Sequence, residues 1–312
     1  MKILRTIDGQ PGVTVPYPEK IAASLAAQYG GLNTRALELV NAYLVPAIAS
    51  GNQSRVKSAI AQIERTLATE YSDKKVAAMA TTAGKAANGY HSKMFYGALG
   101  IAIGAKLLAP DKSAPLRGEK SKAKGETPPA PKRGATIQVG IQTDPALWGS
   151  DFVAENVQLI GDLRRGIVPG LKDAVIRAVE RDRNEDPEAL AEKLREMWAR
   201  NGVPSTLKTE SGRELSTHAH ALLVAEDQIG KLNARLNQER QLDAGIESFR
   251  WRTKRDGNVR PRHVELEGTV WTWASGGPPG VGLPGTPVRC RCSAEAVVDR
   301  QVVLTAIMSQ VE

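Results

Sequence analysis

The chain has 312 residues, 41% hydrophobic and 24% charged, which allows two or three domains and excludes wholesale disorder or a low-complexity fibre. Aromatic residues make up only 4%, and Trp148, Trp198, Trp251, Trp271 and Trp273 all follow residue 145, so the Ala-rich first third packs differently from the rest. A formal charge of +8 points to an acidic partner, nucleic acid or an acidic protein face, without choosing between them.

From Pro18 to about Leu108 the sequence predicts helices. Leu37, Val40, Leu44 and Ile48 recur at helical spacing, with Pro46 expected to kink that segment and Gly51 to stop it. Val56, Ile60, Ile63, Leu67 and Tyr71 form the stripe of a second helix. Ser72-Asp73 is a candidate cap for an Ala-rich third, in which Gly97, Gly100 and Gly104 suit close helix packing rather than phosphate binding. Its uncharged stretch from Met94 to Ala105 has 12 residues, short of the roughly 20 that span a bilayer. Residues 1–12 lack the layout of a signal peptide. No membrane span is predicted.

Between residues 110 and 135, Pro110, Pro115, Pro128, Pro129 and Pro131 alternate with Lys112, Arg117, Lys120, Lys122, Lys124, Lys132 and Arg133. Prolines block regular helix and like charges repel, so this reads as an extended linker whose cations are either a solvated tether or contacts for nucleic acid phosphates. Beyond it, Asp144-Pro145 opens a helix with Trp148, Phe152, Leu159 and Leu163, and a further helix carries Leu171, Val175, Ile176 and Val179. Asp186-Pro187 opens another, which ends near Gly202, and a long helix follows over roughly 214–242. The last 70 residues change to period two, predicting short strands at Phe249 to Lys254, Trp271 to Trp273 and Val288 to Cys292. In a shared sheet, one face would collect the aromatics and cysteines and the other would present Arg250, Arg252, Lys254, Arg289 and Arg291 as a basic face for DNA phosphates or an acidic partner.

Cys290 and Cys292 are the only cysteines, so no disulfide framework holds the fold, and an intracellular origin is the simpler reading. They offer two thiolate ligands, with His263 as a third and Asp256 as a possible fourth. A structural zinc site usually shows four clear ligands, so buried small hydrophobes is the favoured reading, with neither metal nor cofactor expected. A hydrolase reading would pair His263 with Cys290, but no nucleophile motif surrounds either cysteine, and a turn fixed by Asp256 and His263 is favoured. His218 and His220, two apart on a helix, point about 200° apart and do not ligate together. His91 has no partner in view.

The run from Ala225 to Asn233, then Gly245-Ile246, Trp251-Arg252-Thr253, Asp256, Val259-Arg260-Pro261-Arg262-His263, Leu266-Glu267-Gly268, Pro284-Gly285 and Cys290-Arg291-Cys292 resembles the phage head morphogenesis family typified by the F protein of phage Mu. The resemblance covers roughly residues 215–298, and Trp251, Asp256, Arg260, His263, Gly268, Cys290 and Cys292 are its structural motif positions. It implies a minor capsid protein of a tailed double-stranded DNA phage, without catalytic activity. Its implied place is inside the head near the portal vertex, and in the host cytoplasm during assembly. Portal protein, major capsid or scaffold proteins and packaged DNA are the implied partners, in procapsid assembly and DNA packaging or ejection. A DNA-binding module is the alternative, and a metal-dependent nuclease or hydrolase a weaker one. The expected fold is α+β and mostly helical. It comprises an N-terminal helical domain (1–109), the cationic linker (110–135) and a C-terminal domain (136–312), with helices at about 146–242 and a small antiparallel sheet at about 246–298.

Overall fold

In the computed structural model the described residues are 4–7, 10–104, 106–108, 136–138, 148–182, 185–208, 212 and 215–309. The linker prolines and the cations Lys112, Arg117, Lys120, Lys122, Lys124, Lys132 and Arg133 lie outside them, as does the Asp144-Pro145 start. The fold is α+β and mostly helical, as expected, and among the described residues no helix is long and apolar enough to cross a membrane.

The helices are α1 (Glu19–Leu39), α2 (Val45–Ala49), α3 (Gln53–Glu70), α4 (Asp73–Ile103), α5 (Ser150–Arg181), α6 (Pro187–Asn201), α7 (Thr217–Asp243), α8 (Pro261–Val264) and α9 (Arg300–Met308). The strands are β1 (Leu4–Ile7), β2 (Gln10–Val13), β3 (Lys106–Leu108), β4 (Thr136–Gln138), β5 (Ser248–Arg252), β6 (Val270–Thr272) and β7 (Ser293–Val297). Two compact units divide the chain, each assembled from separated stretches.

One unit comprises Ala22–Ala83 and Val153–Glu226. The expected kink at Pro46 is a π-helical turn over Val40–Leu44, where Val45 N–H donates to the Val40 carbonyl, five residues back, just before the proline interrupts the α-helical ladder. Asn52 caps α3 by accepting from Ser54 N and Arg55 N, and the buried stripe is Ala59, Ile60, Ile63 and Leu67. α5 continues through Pro169 where the sequence suggests two helices. External packing supports the turn around the proline. The Gly166 carbonyl accepts from Thr206 N at 3.2 Å, and the bare Gly170 lets the Pro204 carbonyl approach to 2.9 Å of where a Cβ would stand. α6 begins and ends as read, with Asp186 accepting from Glu188 N and Ala189 N, and Gly202 at φ 81°. Two buried polar contacts join its helices: Tyr29 Oη donates to Asn156 Oδ1 at 2.8 Å, and Val203 N to Asn33 Oδ1 at 2.9 Å.

The other unit comprises Met1–Ile21, Gly84–Phe152 and Asp227–Glu312. Its sheet has the order β1-β2-β7-β5-β6, antiparallel throughout, with Val13 opposite Ala296 and Phe249 opposite both Ala296 and Trp271. β3 and β4 form a separate parallel pair. One apolar cluster joins Val13 and Val15 to Phe95 and Leu99 of α4, Ala296 of β7, and Val303 and Ile307 of α9. A second gathers Phe249, Trp251, Trp273, Cys290, Cys292 and Ala294. Asn237 and Gln241 of α7 both donate to the Ala294 carbonyl, at 2.8 and 3.0 Å, tying the helix to β7.

The third expected strand is displaced. β7 occupies Ser293–Val297, whereas Val288 to Cys292 is a turn-rich loop in which Arg289 adopts φ 56° and Cys290 N donates to the Pro287 carbonyl at 2.8 Å. The period-two alternation was carried here by side chains held by turn hydrogen bonds rather than by ladder pairing. The second strand is likewise shorter, because Thr272 caps a 3₁₀ turn that begins at Trp273.

Candidate functional site

The cysteine loop lies against α7 at two small residues. Gly285, at φ 87°, would place a Cβ 2.9 Å from the Ala234 Cβ, and the Cys290 carbonyl lies 3.6 Å from the Cβ position of Gly230. Only glycine meets both the left-handed conformation and the close approach at position 285. Asp227, one turn earlier on α7, accepts from Arg289 N at 2.9 Å and pairs with Lys231 at 2.7 Å. From the other side Arg260 donates to the Val288 carbonyl and Arg262 to the Pro279 carbonyl, at 2.6 and 2.7 Å. The short helix α8, with Pro261 at its first position, then directs His263 inward.

His263, Cys290 and Cys292 meet there, all buried. His263 Nδ1 stands 3.6 Å from each sulfur, and the three donor atoms lie within 4.8 Å of one another. The Trp251 ring meets the imidazole edge-on at a centroid distance of 5.4 Å and closes one side. The hydrogen bond between the two thiols pushes Cys290 downward and Cys292 upward. A cavity of about 20 Å³ bordered by Asn258, Arg260, His263 and both cysteines adjoins the cluster. A wider cleft of about 160 Å³, lined by Tyr17, Asn233, Asn237, Lys254 and Arg291 among others, reaches the same two cysteines. Cys290 is only 5% exposed, so the arrangement suits a bound atom better than attack on a bulky substrate.

Asp256 does not join the three. Its carboxylate accepts from Asn258 N at 3.1 Å and pairs with Arg291 at 2.8 Å, so it closes the turn ahead of α8. Gly268, at φ 83°, donates its N–H to the Trp251 carbonyl at 2.9 Å, and Trp251 N returns a bond to Thr269 O at 2.8 Å, which holds the Trp251 backbone beside the cluster.

The alternating cations of β5 are not a free basic face. Arg250 and Arg252 side chains are 10% and 11% exposed and converge on the buried Glu295 of β7, Arg252 Nε donating at 2.8 Å. Lys254 pairs with Glu19 at 2.7 Å, and Arg289 is exposed. The acids that neutralise these cations were passed over as site residues in reading the sequence. Glu267 accepts from Thr253 N, Thr253 Oγ1 and Arg255 at 2.6, 2.7 and 2.6 Å. Burial pushes its carboxyl up, but these donors outweigh it and hold it at about 2. The signal for Glu295 was present, as the lone charge among the small residues of Ser293–Val297. His91, His218 and His220 are not part of the cluster. His91 is fully buried, and desolvation followed by the nearby Arg240 charge holds it well below its usual value.

Residues 170–295 match the family model described as Phage Mu protein F like protein, which bears out the resemblance carried by the motifs between Ala225 and Cys292. An uncharacterized protein of Haemophilus influenzae is 31% identical over 187 residues, 56% of this chain and 37% of the relative. The match therefore spans little more than a third of that relative's length. No solved structure matches the chain.

Proposed function

We propose, from the Phage Mu F-like segment at residues 170–295, that this chain is a phage head morphogenesis protein, a minor capsid component without catalytic activity. That match is the observation that carries the reading. The architecture supports it, because β5, β7, α7 and the cysteine loop form a tightly bonded body in which the functional-looking side chains are buried or ion-paired. Such a body suits a structural joint rather than an open catalytic cleft.

In the finer reading the protein sits inside the head near the portal vertex, associates with the portal and with major capsid or scaffold proteins, and supports procapsid assembly and DNA packaging or ejection. Contact with packaged DNA falls to the linker cations Lys112 to Arg133, since Arg250 and Arg252 are committed to buried carboxylates. The test is mass spectrometry of purified particles together with affinity capture on portal protein. The expected result is a few copies per virion and co-purification with portal that is lost when residues 136–312 are deleted. Absence of the chain from particles overturns the reading. DNA binding with a steep salt dependence, reduced when the seven linker cations are replaced by Gln, is expected if the linker meets phosphates.

A further inference from the structure

We infer that His263, Cys290 and Cys292 bind one zinc ion, with a water molecule completing the tetrahedron. The inference is independent of whether the chain is a head component, because it rests only on the local donor geometry.

The spacing is the first argument. With Zn–S of about 2.3 Å, Zn–N of about 2.05 Å and a tetrahedral angle, sulfur and nitrogen ligands stand about 3.6 Å apart. His263 Nδ1 lies 3.6 Å from Cys290 Sγ and 3.6 Å from Cys292 Sγ. Three ordinary core side chains have no reason to aim three donor atoms at one point. Cysteines filling space as small hydrophobes would sooner face methyl groups than an imidazole nitrogen.

Charge and space agree with the spacing. A divalent ion, two thiolates and a neutral imidazole sum to zero, so the metal centre is tolerated beside Arg260 and Arg291, and the two thiol protons leave to solvent on binding. The adjoining cavity of about 20 Å³ exceeds the roughly 10–15 Å³ that a single water needs, and Asn258 borders it as a polar partner. Soft sulfur donors with one imidazole select zinc over calcium or magnesium.

The loop geometry gives the site its rigidity. Gly285 against Ala234, Asp227 on Arg289 N and Arg260 on the Val288 carbonyl fix the backbone on both sides of Cys-Arg-Cys. The centre would cross-link α8 to the segment leading into β7, adding to the bonds that Arg260 and Arg262 make to the glycine- and proline-rich segment ahead of it. Its role is that of a staple in a region poor in secondary structure.

The test is elemental analysis of the full chain purified without chelator. One zinc per chain is expected, and the C290S/C292S double variant should hold less than a tenth of that. Cobalt substitution of the wild type should produce the intense visible bands and sulfur-to-metal charge-transfer absorption of a tetrahedral thiolate site. Because the serine variant can fail to fold, C292H serves as a second probe, since it keeps a donor at that position and is expected to retain metal. Chelation of the wild type should lower the unfolding temperature, and zinc should restore it. Folded wild-type protein without metal and without cobalt bands overturns the inference. So does a chain lighter by two hydrogens, which would place a disulfide between Cys290 and Cys292.

Discussion

Glu295 and Glu267 show how much depends on single carboxylates in this unit. Glu295 is 2% exposed and faces two guanidinium groups, so Glu295→Gln removes the buried carboxylate that Arg250 and Arg252 share, while Arg252 keeps its contact with Glu267. Removing one partner of a buried pair costs about 3 kcal/mol or more, and urea unfolding should register the loss in the midpoint. Glu267, held at about 2 against an ordinary 4.5, stabilises the fold above pH 4.5 and loses that contribution as pH falls toward 2. Glu267→Gln should therefore lower stability at pH 7 and flatten the acid limb in that window. His91 acts in the opposite range of pH. Its folded value lies below 6.5, so under acid conditions the unfolded chain takes a proton that the folded chain refuses, and stability falls as pH drops below 6.5. The slope approaches about 1.4 kcal/mol per pH unit, and His91→Phe should abolish that component in a series of thermal melts from pH 7 to 5.

At the scale of elements, the caps and the bare glycines decide where helices stop and loops dock. Asp186 holds two backbone N–H groups at the start of α6, and Asp186→Ala should cost about 1 kcal/mol, read by chemical denaturation. Gly285→Ala is expected to do more damage. It strains a residue at φ 87° and drives a Cβ to 2.9 Å from Ala234, pushing the cysteine loop off α7. Loss of the near-ultraviolet signal of Trp251, which packs beside that loop, is the readout. Gly170→Ala tests α5 in the same way, since its Cβ would meet the Pro204 carbonyl and Ser205 Cα at 2.9 Å. The proline interior to α5 is tolerated because a neighbouring segment packs against the interrupted turn, so blocking that approach should leave the helix more disturbed than an average Gly to Ala change.

For the molecule as a whole, the unit that holds the cluster is assembled from both ends of the chain. β2 pairs with β7, and Val13, Val15, Phe95 and Leu99 line the same core as Ala296, Val303 and Ile307. A fragment limited to residues 136–312 lacks the first four of these and leaves the β7 edge unpaired. It is expected to unfold without a cooperative transition, or to aggregate, where the full chain melts cooperatively. Circular dichroism against temperature distinguishes the two outcomes.

Local chemistry was legible in the residues alone. Helical stripes such as Ile60, Ile63 and Leu67, the Asp186-Pro187 start, the Gly202 stop and the motif run from Ala225 to Cys292 each depend on neighbours within a few positions, so sequence suffices to see them. What folding alone decided is long-range pairing. Alternation from Val288 to Cys292 looks like a strand, yet the ladder begins at Ser293, because Asp227, Arg260 and Pro287 hold the preceding backbone in turns. The β5 arginines look like an outward basic face until Glu295, more than 40 positions away, is brought opposite them. The same holds for the cluster, in which His263 lies 27 and 29 residues from its two sulfurs. Spacing in the chain lists the donors, and only the closed sheet, with α7 behind the loop, sets them at the separation a metal requires.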